Sequence, residues 1–277
     1  QLMNIHRGIT DSANPLNPFL DWNFVIITYA TGDLHIGNND YPYKAADGSR
    51  QIVHFHGHRN FAAVMREAAF FFPEPDRLLI AGESAGAFAV PALAGEIMER
   101  YYPACRDVTL FSDSGQLLYP HWRQTARDIW KAEPAIWKAI RSPNPTLDWY
   151  QRLYNHYGDR IRYLYAISTY DYLLSAYYND IVRRKYRSDE EIRRAFHQQL
   201  RGMIRDFKDM TPAASVYLND WKNHTVVYPG MRGGTIHTAV RHLNFYTKMG
   251  AQASMAEWLN DAVNGCLYDV GTQLLRK

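Results

Sequence analysis

The sequence has 277 residues, 47% of them hydrophobic and 21% charged, which is typical of a globular protein with one large core or a core and a subdomain. A formal net charge of only +3, with no Lys/Arg-rich run that looks like an electrostatic footprint, argues against nucleic-acid binding. No apolar stretch reaches the ~20 residues of a membrane span, and two cysteines, Cys105 and Cys266, exclude a disulfide framework but leave either one bridge or two thiols open.

The first part of the chain, up to about residue 118, alternates predicted strands and helices. Short apolar runs rich in branched side chains predict buried strands at residues 24–29, 77–81 and 108–111. Helices are predicted between them, at residues 60–71 and 86–101. Because strands that alternate with helices form βαβ units, we expect a mostly parallel central sheet flanked by helices, the α/β class.

Residues 119–160 depart from this alternation. They contain four tryptophans among prolines, charges and tyrosines, namely Trp122, Trp130, Trp137 and Trp149. We interpret this segment as a helical, aromatic-rich cap inserted across the carboxyl edge of the sheet. Its rings either pack the cap onto the sheet or contact a substrate, and the sequence leaves both possibilities open.

The sheet is expected to resume after this segment, with strands at residues 163–167 and 224–228. Two helices are marked by a capping box, in which a serine is followed three residues later by a glutamate: Ser188 with Glu191, and Ser254 with Glu257. The strands before and after the cap have the character of one sheet. Residues 1–277 are therefore predicted to form a single domain with an insertion at about 119–160.

The motif Gly82-Glu83-Ser84-Ala85-Gly86 lies between a predicted strand and a predicted helix. This context is that of the nucleophile elbow of α/β-hydrolases, in which a tight turn lifts a serine hydroxyl above the sheet. Gly82 and Gly86 are expected to let the strand and the helix pass closely, and the N–H of Ala85 is placed to donate to an oxyanion. We therefore predict an α/β-hydrolase-like fold with Ser84 as the nucleophile.

A serine nucleophile needs a base that is held by an acid, and in this fold the chain order is serine, acid, histidine. The acid should follow the strand at residues 163–167, which favours Asp171 over Asp159 and Asp180. The alternative role for Asp171 is that of a helix-capping carboxylate.

The base should follow the last strand. His237, at the end of the glycine-rich segment 233–237, is favoured over His242, which is expected inside a helix. His224 begins the predicted last strand, so it would lie at the wrong end of the sheet.

Two further groups of polar residues are candidates for function. His54, His56 and His58 alternate, so on a strand they would share one face, where three imidazoles can bind zinc. No carboxylate is identifiable beside them, so we favour a polar surface and expect no metal. Asp33 and His35 follow the first predicted strand, where they either line the substrate pocket or belong to a plain turn.

Several segments, in the same order along most of the chain, carry a family resemblance. They are Asn17-Pro18-Phe19 with Trp22-Asn23, residues 29–33, residues 57–61, residues 81–86, Asp113-Ser114-Gly115, residues 255–259 and residues 268–271. Together they resemble the pectin acetylesterase family, which includes plant and bacterial polysaccharide deacetylases and the animal Notum carboxylesterases. With two cysteines, the chain looks like a bacterial-type member, and residues 119–160 match no family motif.

The resemblance implies a triad of Ser84, Asp171 and His237, with an oxyanion N–H from Ala85 and no cofactor. It implies hydrolysis of short O-acyl esters, above all acetyl on carbohydrate, and an extracytoplasmic or secreted location. Alternatives are a lipid-directed carboxylesterase of the Notum kind, a peptidase or thioesterase with the same triad, and a non-catalytic carbohydrate-binding protein on a hydrolase scaffold.

The family also has a glycine-rich strand end upstream of residue 24, which supplies further oxyanion N–H groups. This chain begins at Gln1, after that point. We therefore expect either an upstream segment of the same protein or Gly32 to supply the second donor.

Overall fold

The computed structural model describes residues 6–224 and 233–276. An antiparallel hairpin comes first, formed by β1 (Asn39–Lys44) and β2 (Arg50–Phe55). Four strands then form one parallel sheet in chain order: β3 (Arg77–Glu83), β4 (Asp107–Asp113), β5 (Arg162–Ser168) and β6 (Ala214–Asn219). The predicted parallel sheet is therefore confirmed.

Eight α-helices accompany the strands within the described residues. They are α1 (Gly57–Phe71), α2 (Ala85–Glu96), α3 (Trp122–Gln124), α4 (Pro134–Trp137), α5 (Pro145–Tyr157), α6 (Tyr172–Ile181), α7 (Asp189–Met210) and α8 (Met255–Val263). Single π-helical turns continue α2 and α3, at Ile97–Tyr101 and Thr125–Ile129. Both predicted capping boxes are present, at the starts of α7 and α8. None of the helices in the described ranges has the length and apolar character needed to cross a bilayer.

The core lies on both faces of the sheet, and β5 shows how the pleat divides it. Tyr163, Tyr165 and Ile167 pack with α2, α5 and α7 on one face, whereas Leu164 and Ala166 pack with α8 on the other. Successive side chains of a strand point to opposite faces, so a strand buried on both faces must be apolar throughout. Helices on both faces of a parallel sheet make this an α/β fold.

Residues 119–160 connect β4 to β5, and these two strands pair directly. The strands before and after the predicted cap thus belong to one sheet. Helix α5 packs against α2 and α7, and its Tyr150 is fully buried beside β5. This helix therefore belongs to the layer that flanks the sheet, and the cap interpretation does not hold for it. A cap formed by the shorter helices α3 and α4 stays a prediction.

One predicted strand was wrong. Residues 23–30 form no strand, and Phe24, Val25, Ile26 and Tyr29 stay between 39% and 43% exposed. An apolar run becomes a strand only with a ladder partner, and β3 pairs with β4 alone in the described part of the chain.

The strand predicted at residues 224–228 stays a prediction, because residues 225–228 lie outside the described residues. The last strand of the sheet that the structure describes is β6, which is buried along its whole length. Within the described part of the chain, His224 comes after β6.

Candidate active site

Ser84 lies at the turn between β3 and α2, where its motif predicts a nucleophile elbow. Its backbone has φ +53° and ψ −118°, a region that costs a residue other than glycine about 1–3 kcal/mol. The Ser84 N–H donates to the carbonyl oxygen of Asp113 at 2.9 Å, which fixes the turn to the end of β4. Ala85 is the first residue of α2, so its N–H belongs to the helix end that attracts negative charge.

The turn has room for a side chain at Gly86 but not at Gly82. A Cβ atom on Gly82 would lie 2.2 Å from the carbonyl oxygen of Gly86, whereas a Cβ atom on Gly86 would have no atom within 4 Å. Gly86 contributes its backbone to this contact, but the expectation that its missing side chain is also needed was wrong.

We expect Gly82→Ala to lower the free energy of unfolding by about 1–3 kcal/mol, because strand and helix must move apart to fit one methyl group. Gly86→Ala is the matched control. It adds the same group to open space inside a helix, where alanine is favoured over glycine by about 0.5–1 kcal/mol. Urea unfolding of the two variants checks this, and equal losses in both would contradict the elbow geometry.

Asp171 and His237 are in contact. The Oδ2 atom of Asp171 lies 2.7 Å from Nδ1 of His237. The loop before His237 is tied to the Asp171 loop by two backbone hydrogen bonds, from the Thr235 N–H to the Tyr170 oxygen at 2.9 Å and from the Tyr172 N–H to the Thr235 oxygen at 3.2 Å. This pairing is what a base held by an acid requires.

Asp171 uses its second oxygen as a helix cap. It is fully buried, and its Oδ1 accepts hydrogen bonds from the N–H groups of Leu173 and Leu174 at 3.0 and 2.9 Å. The two roles considered for this residue, capping carboxylate and partner of a histidine, are therefore both present. The cap fixes the carboxylate, so the oxygen that faces His237 is held in place.

The other ring nitrogen of His237, Nε2, is buried and has no hydrogen-bond partner among the described residues. Burial by itself lowers the pKa of His237. The charge of Asp171 and its hydrogen bond, with smaller contributions from Asp113 and Glu83, outweigh burial and raise the pKa above its ordinary value. A buried nitrogen without a partner is available to take a proton.

Asp113 holds the loop that follows His237. Its Oδ2 accepts hydrogen bonds from the N–H groups of Ala239 at 2.6 Å and Val240 at 2.8 Å. The Thr238 N–H donates to the hydroxyl of Ser114 at 3.3 Å. The same Asp113 residue accepts from Ser84 through its backbone, so the serine turn and the histidine loop are anchored at one point of the sheet edge.

A second tie runs from the elbow to the histidine loop. The Nε atom of Arg241 donates to Oε1 of Glu83 at 2.7 Å, and both side chains are partly buried. Glu83 immediately precedes Ser84 and stands opposite Asp113 in the β3–β4 register. Neither Glu83 nor Arg241 could be singled out from the sequence. Asp113 lay in the Asp113-Ser114-Gly115 segment that carries the family resemblance, without an assigned role.

Asp113 is an unusual carboxyl group because it is buried completely. Burial, with a smaller contribution from the charge of Glu83, raises its pKa from 3.8 to about 6 against the hydrogen bonds from Ala239 and Val240. Its proton therefore titrates in the same range as a histidine.

Asp33 lies in a turn and is fully buried. Its Oδ1 accepts from the Thr31 hydroxyl at 2.6 Å and from the His35 N–H at 3.1 Å, and its Oδ2 accepts from the Gly57 N–H at 2.8 Å. These contacts are those of a carboxylate that anchors the turn to the start of α1, so they support the turn interpretation. A role of Asp33 in substrate binding stays a prediction.

His35 and Gly32 flank Asp33. The His35 side chain is buried, and its ring centroid lies 4.8 Å from that of Tyr29. Burial lowers the pKa of His35, and the charge of Asp33 opposes this. Gly32 has φ +70° and no atom within 4 Å of a would-be Cβ. Its N–H as an oxyanion donor stays a prediction, as does a pocket role for His35.

The other candidates lie elsewhere. The Nδ1 atom of His242 accepts from the Asn244 N–H at 3.1 Å and caps the 3₁₀ turn Leu243–Tyr246. The expectation that His242 lies inside a helix was therefore wrong. Cys105 and Cys266 are free thiols. His58 is buried in α1 with Nε2 2.8 Å from Oε2 of Glu96, so it does not share a face with His54 and His56.

The family model of the pectinacetylesterases matches residues 3–131 of this chain. That range includes the elbow and Asp113 but ends before Asp171 and His237. The sequence matches none of the curated proteins with which it was compared.

Two solved structures of the Wnt deacylase Notum from Drosophila are similar in fold. One is 13% identical with a TM-score of 0.54, covering 85% of this chain and 66% of the Notum chain. The other crystal form is 15% identical with a TM-score of 0.55, covering 95% of this chain and 76% of that one. At this identity the likeness shows the fold alone, which is α/β-hydrolase-like as predicted. The family match confirms the resemblance for the motifs within residues 3–131.

Proposed function

We propose that this chain, which resembles the pectinacetylesterase and Notum family in sequence and in fold, is a serine esterase that hydrolyses short O-acyl esters. One observation carries the proposal. His237 is paired with the buried Asp171 on a loop tied to the Ser84 elbow, and its other ring nitrogen has no partner in the described ranges.

The chemistry is two-step acyl transfer. Nε2 of His237 takes the proton of Ser84 Oγ as that oxygen attacks the ester carbonyl, and Asp171 stabilises the imidazolium that forms. The Ala85 N–H, at the start of α2, donates to the oxyanion. The alcohol leaves with the proton from His237, and water then attacks the acyl-enzyme by the same route.

The acyl group separates two candidate substrate classes. The match to pectinacetylesterases favours acetyl esters on carbohydrate. The fold likeness to a Wnt deacylase favours longer acyl groups as the second candidate. Rates on aryl acetate and on aryl esters of longer acids decide between them, since a pocket built for acetyl loses rate as the chain lengthens.

A fluorophosphonate probe tests the proposal most directly, because it labels only an activated serine. We expect stoichiometric labelling of the wild type, mapped by mass spectrometry to the peptide that carries Ser84. Ser84→Ala is the control and should remain unlabelled. A folded wild type that takes no label would instead favour a non-catalytic carbohydrate-binding protein.

A further inference from the structure

The hairpin of β1 and β2 brings two histidines and a carboxylate together on one side. Asp40 and His54 are directly paired in the antiparallel register, and His56 follows just past the end of β2. The Oδ1 atom of Asp40 is 2.5 Å from Nδ1 of His54 and 2.7 Å from Nε2 of His56. All three atoms lie within 4.8 Å of one another.

These atoms have the chemistry and the spacing of a metal site. Two imidazole nitrogens and one carboxylate oxygen are a common protein ligand set for zinc, and bonds of ~2.0–2.2 Å separate tetrahedral ligands by roughly 3.3 Å. The two separations from Asp40 are shorter than that value and the third is no more than 4.8 Å, so small side-chain rotations are enough. The side chain of His54 is 65% exposed, which leaves the fourth position open to water.

The supporting backbone is well held. Asp40 and His54 are fixed by the hairpin ladder, and His56 is the residue before the first turn of α1. Sites on strands and helices position ligands better than sites on loops. The three ligands would thus be presented by two elements that the protein has already ordered.

The guanidinium group of Arg59 lies close to these three side chains. Nη1 of Arg59 lies 3.3 Å from Nε2 of His56, and its Nη2 donates to the Asn38 carbonyl oxygen at 3.1 Å. Its charge opposes a second cation, partly offset by the carboxylate of Asp40, whose pKa is lowered chiefly by the hydrogen bond from His54. A metal ion on Nε2 of His56 would displace Nη1 of Arg59, whereas the contact of Nη2 with Asn38 does not involve the ligands and can remain. Arg59 therefore weakens metal binding without blocking it.

We propose that Asp40, His54 and His56 bind a divalent cation of the zinc type. The site lies outside the proposed catalytic residues and does not depend on them. Binding joins the two strands of the hairpin to the start of α1, and a ligand that binds only the folded state stabilises it by mass action.

Calorimetric titration of the untagged chain with Zn²⁺ tests the site. We expect one Zn²⁺ per chain, binding that is at least about 100-fold weaker in His54→Ala and in His56→Ala, and weaker binding in Asp40→Asn. Thermal unfolding should shift upward with Zn²⁺ in the wild type but not in His54→Ala or His56→Ala. Co²⁺ in place of Zn²⁺ should give the visible absorption of a tetrahedral site.

Two controls sharpen the test. His156 is exposed with Nε2 3.5 Å from a carboxylate oxygen of Glu99, but it belongs to no group of three ligands in the described residues, so His156→Ala should leave Zn²⁺ affinity unchanged. Arg59→Gln should increase the affinity, because it removes the opposing charge. The proposal is overturned if the wild type shows no saturable Zn²⁺ binding, if His54→Ala and His56→Ala bind as the wild type does, or if Arg59→Gln binds more weakly.

Discussion

Ester hydrolysis should fall by about 10⁴-fold or more in Ser84→Ala, with folding retained. The hydroxyl is the attacking group in the proposed reaction, and nothing else at the elbow can replace it. Among the described residues the Ser84 side chain makes no hydrogen bond that would be lost. Comparison of kcat/KM with the free energy of unfolding checks both statements.

Ser84→Gly separates the chemical role of this residue from its structural one. Both substitutions remove the nucleophile, but only glycine accepts φ +53° without strain. We expect Ser84→Gly to be as inactive as Ser84→Ala and more stable by about 0.5–1 kcal/mol. Substantial activity in either variant would refute Ser84 as the nucleophile.

The two partners of Ser84 should give losses of similar size, because members of a triad act as a unit. Asp171→Asn is the informative change. An amide oxygen can keep the hydrogen bonds from Leu173 and Leu174 that cap α6, so stability should hold while kcat falls by about 10⁴-fold. The kcat of His237→Ala should fall as far. His242→Ala is the control and should keep its activity. Full activity in His237→Ala together with a loss in His242→Ala would move the base to His242.

The elbow could be predicted from the sequence because its causes are local. A buried strand, small residues on either side of Ser84 and a following helix are all contiguous, and the steric need for glycine at position 82 follows from the crossing itself. Asp171 and His237 could be proposed from chain order, since each follows a strand in a parallel sheet. The order did not give their 2.7 Å contact, which depends on how two loops pack.

Features that depend on partners distant in sequence were not predictable. Residues 24–29 have the composition of a strand, but whether they form one depends on a neighbour that supplies hydrogen bonds. The carboxylate beside His54 was missed for the same kind of reason. Asp40 is fourteen residues away, and only the register of the hairpin places it opposite. Likewise, Asp113 was identifiable as part of a motif, but its contacts with residues 239 and 240 span the domain.

Asp113→Ala should lower both stability and activity. It leaves the buried N–H groups of Ala239 and Val240 without an acceptor, which costs about 1–3 kcal/mol for each group. The loop that carries His237 then loses its anchor to the β4 end, so kcat/KM should fall although no group of the proposed triad is changed. Urea unfolding and aryl acetate hydrolysis measure the two effects. Unchanged activity would show that this anchor does not position His237.

Asp113→Asn separates the effect of the Asp113 charge from the role of Asp113 in anchoring the loop that carries His237. The amide oxygen can accept from Ala239 and Val240, and the Ser114 hydroxyl, which now donates to Asp113, can turn to accept from the amide. Folding raises the pKa of Asp113 to about 6, so its carboxyl favours the folded state in acid, and this contribution disappears as pH rises through about 6. The stability of Asp113→Asn relative to the wild type should therefore rise as the pH increases from 3.8 to about 6.

The charge of Asp113 also helps to raise the pKa of His237. Because the base must be neutral to act, the acid limb of kcat/KM should move to lower pH in Asp113→Asn, and a limb that stays in place would show that this carboxylate does not act on His237.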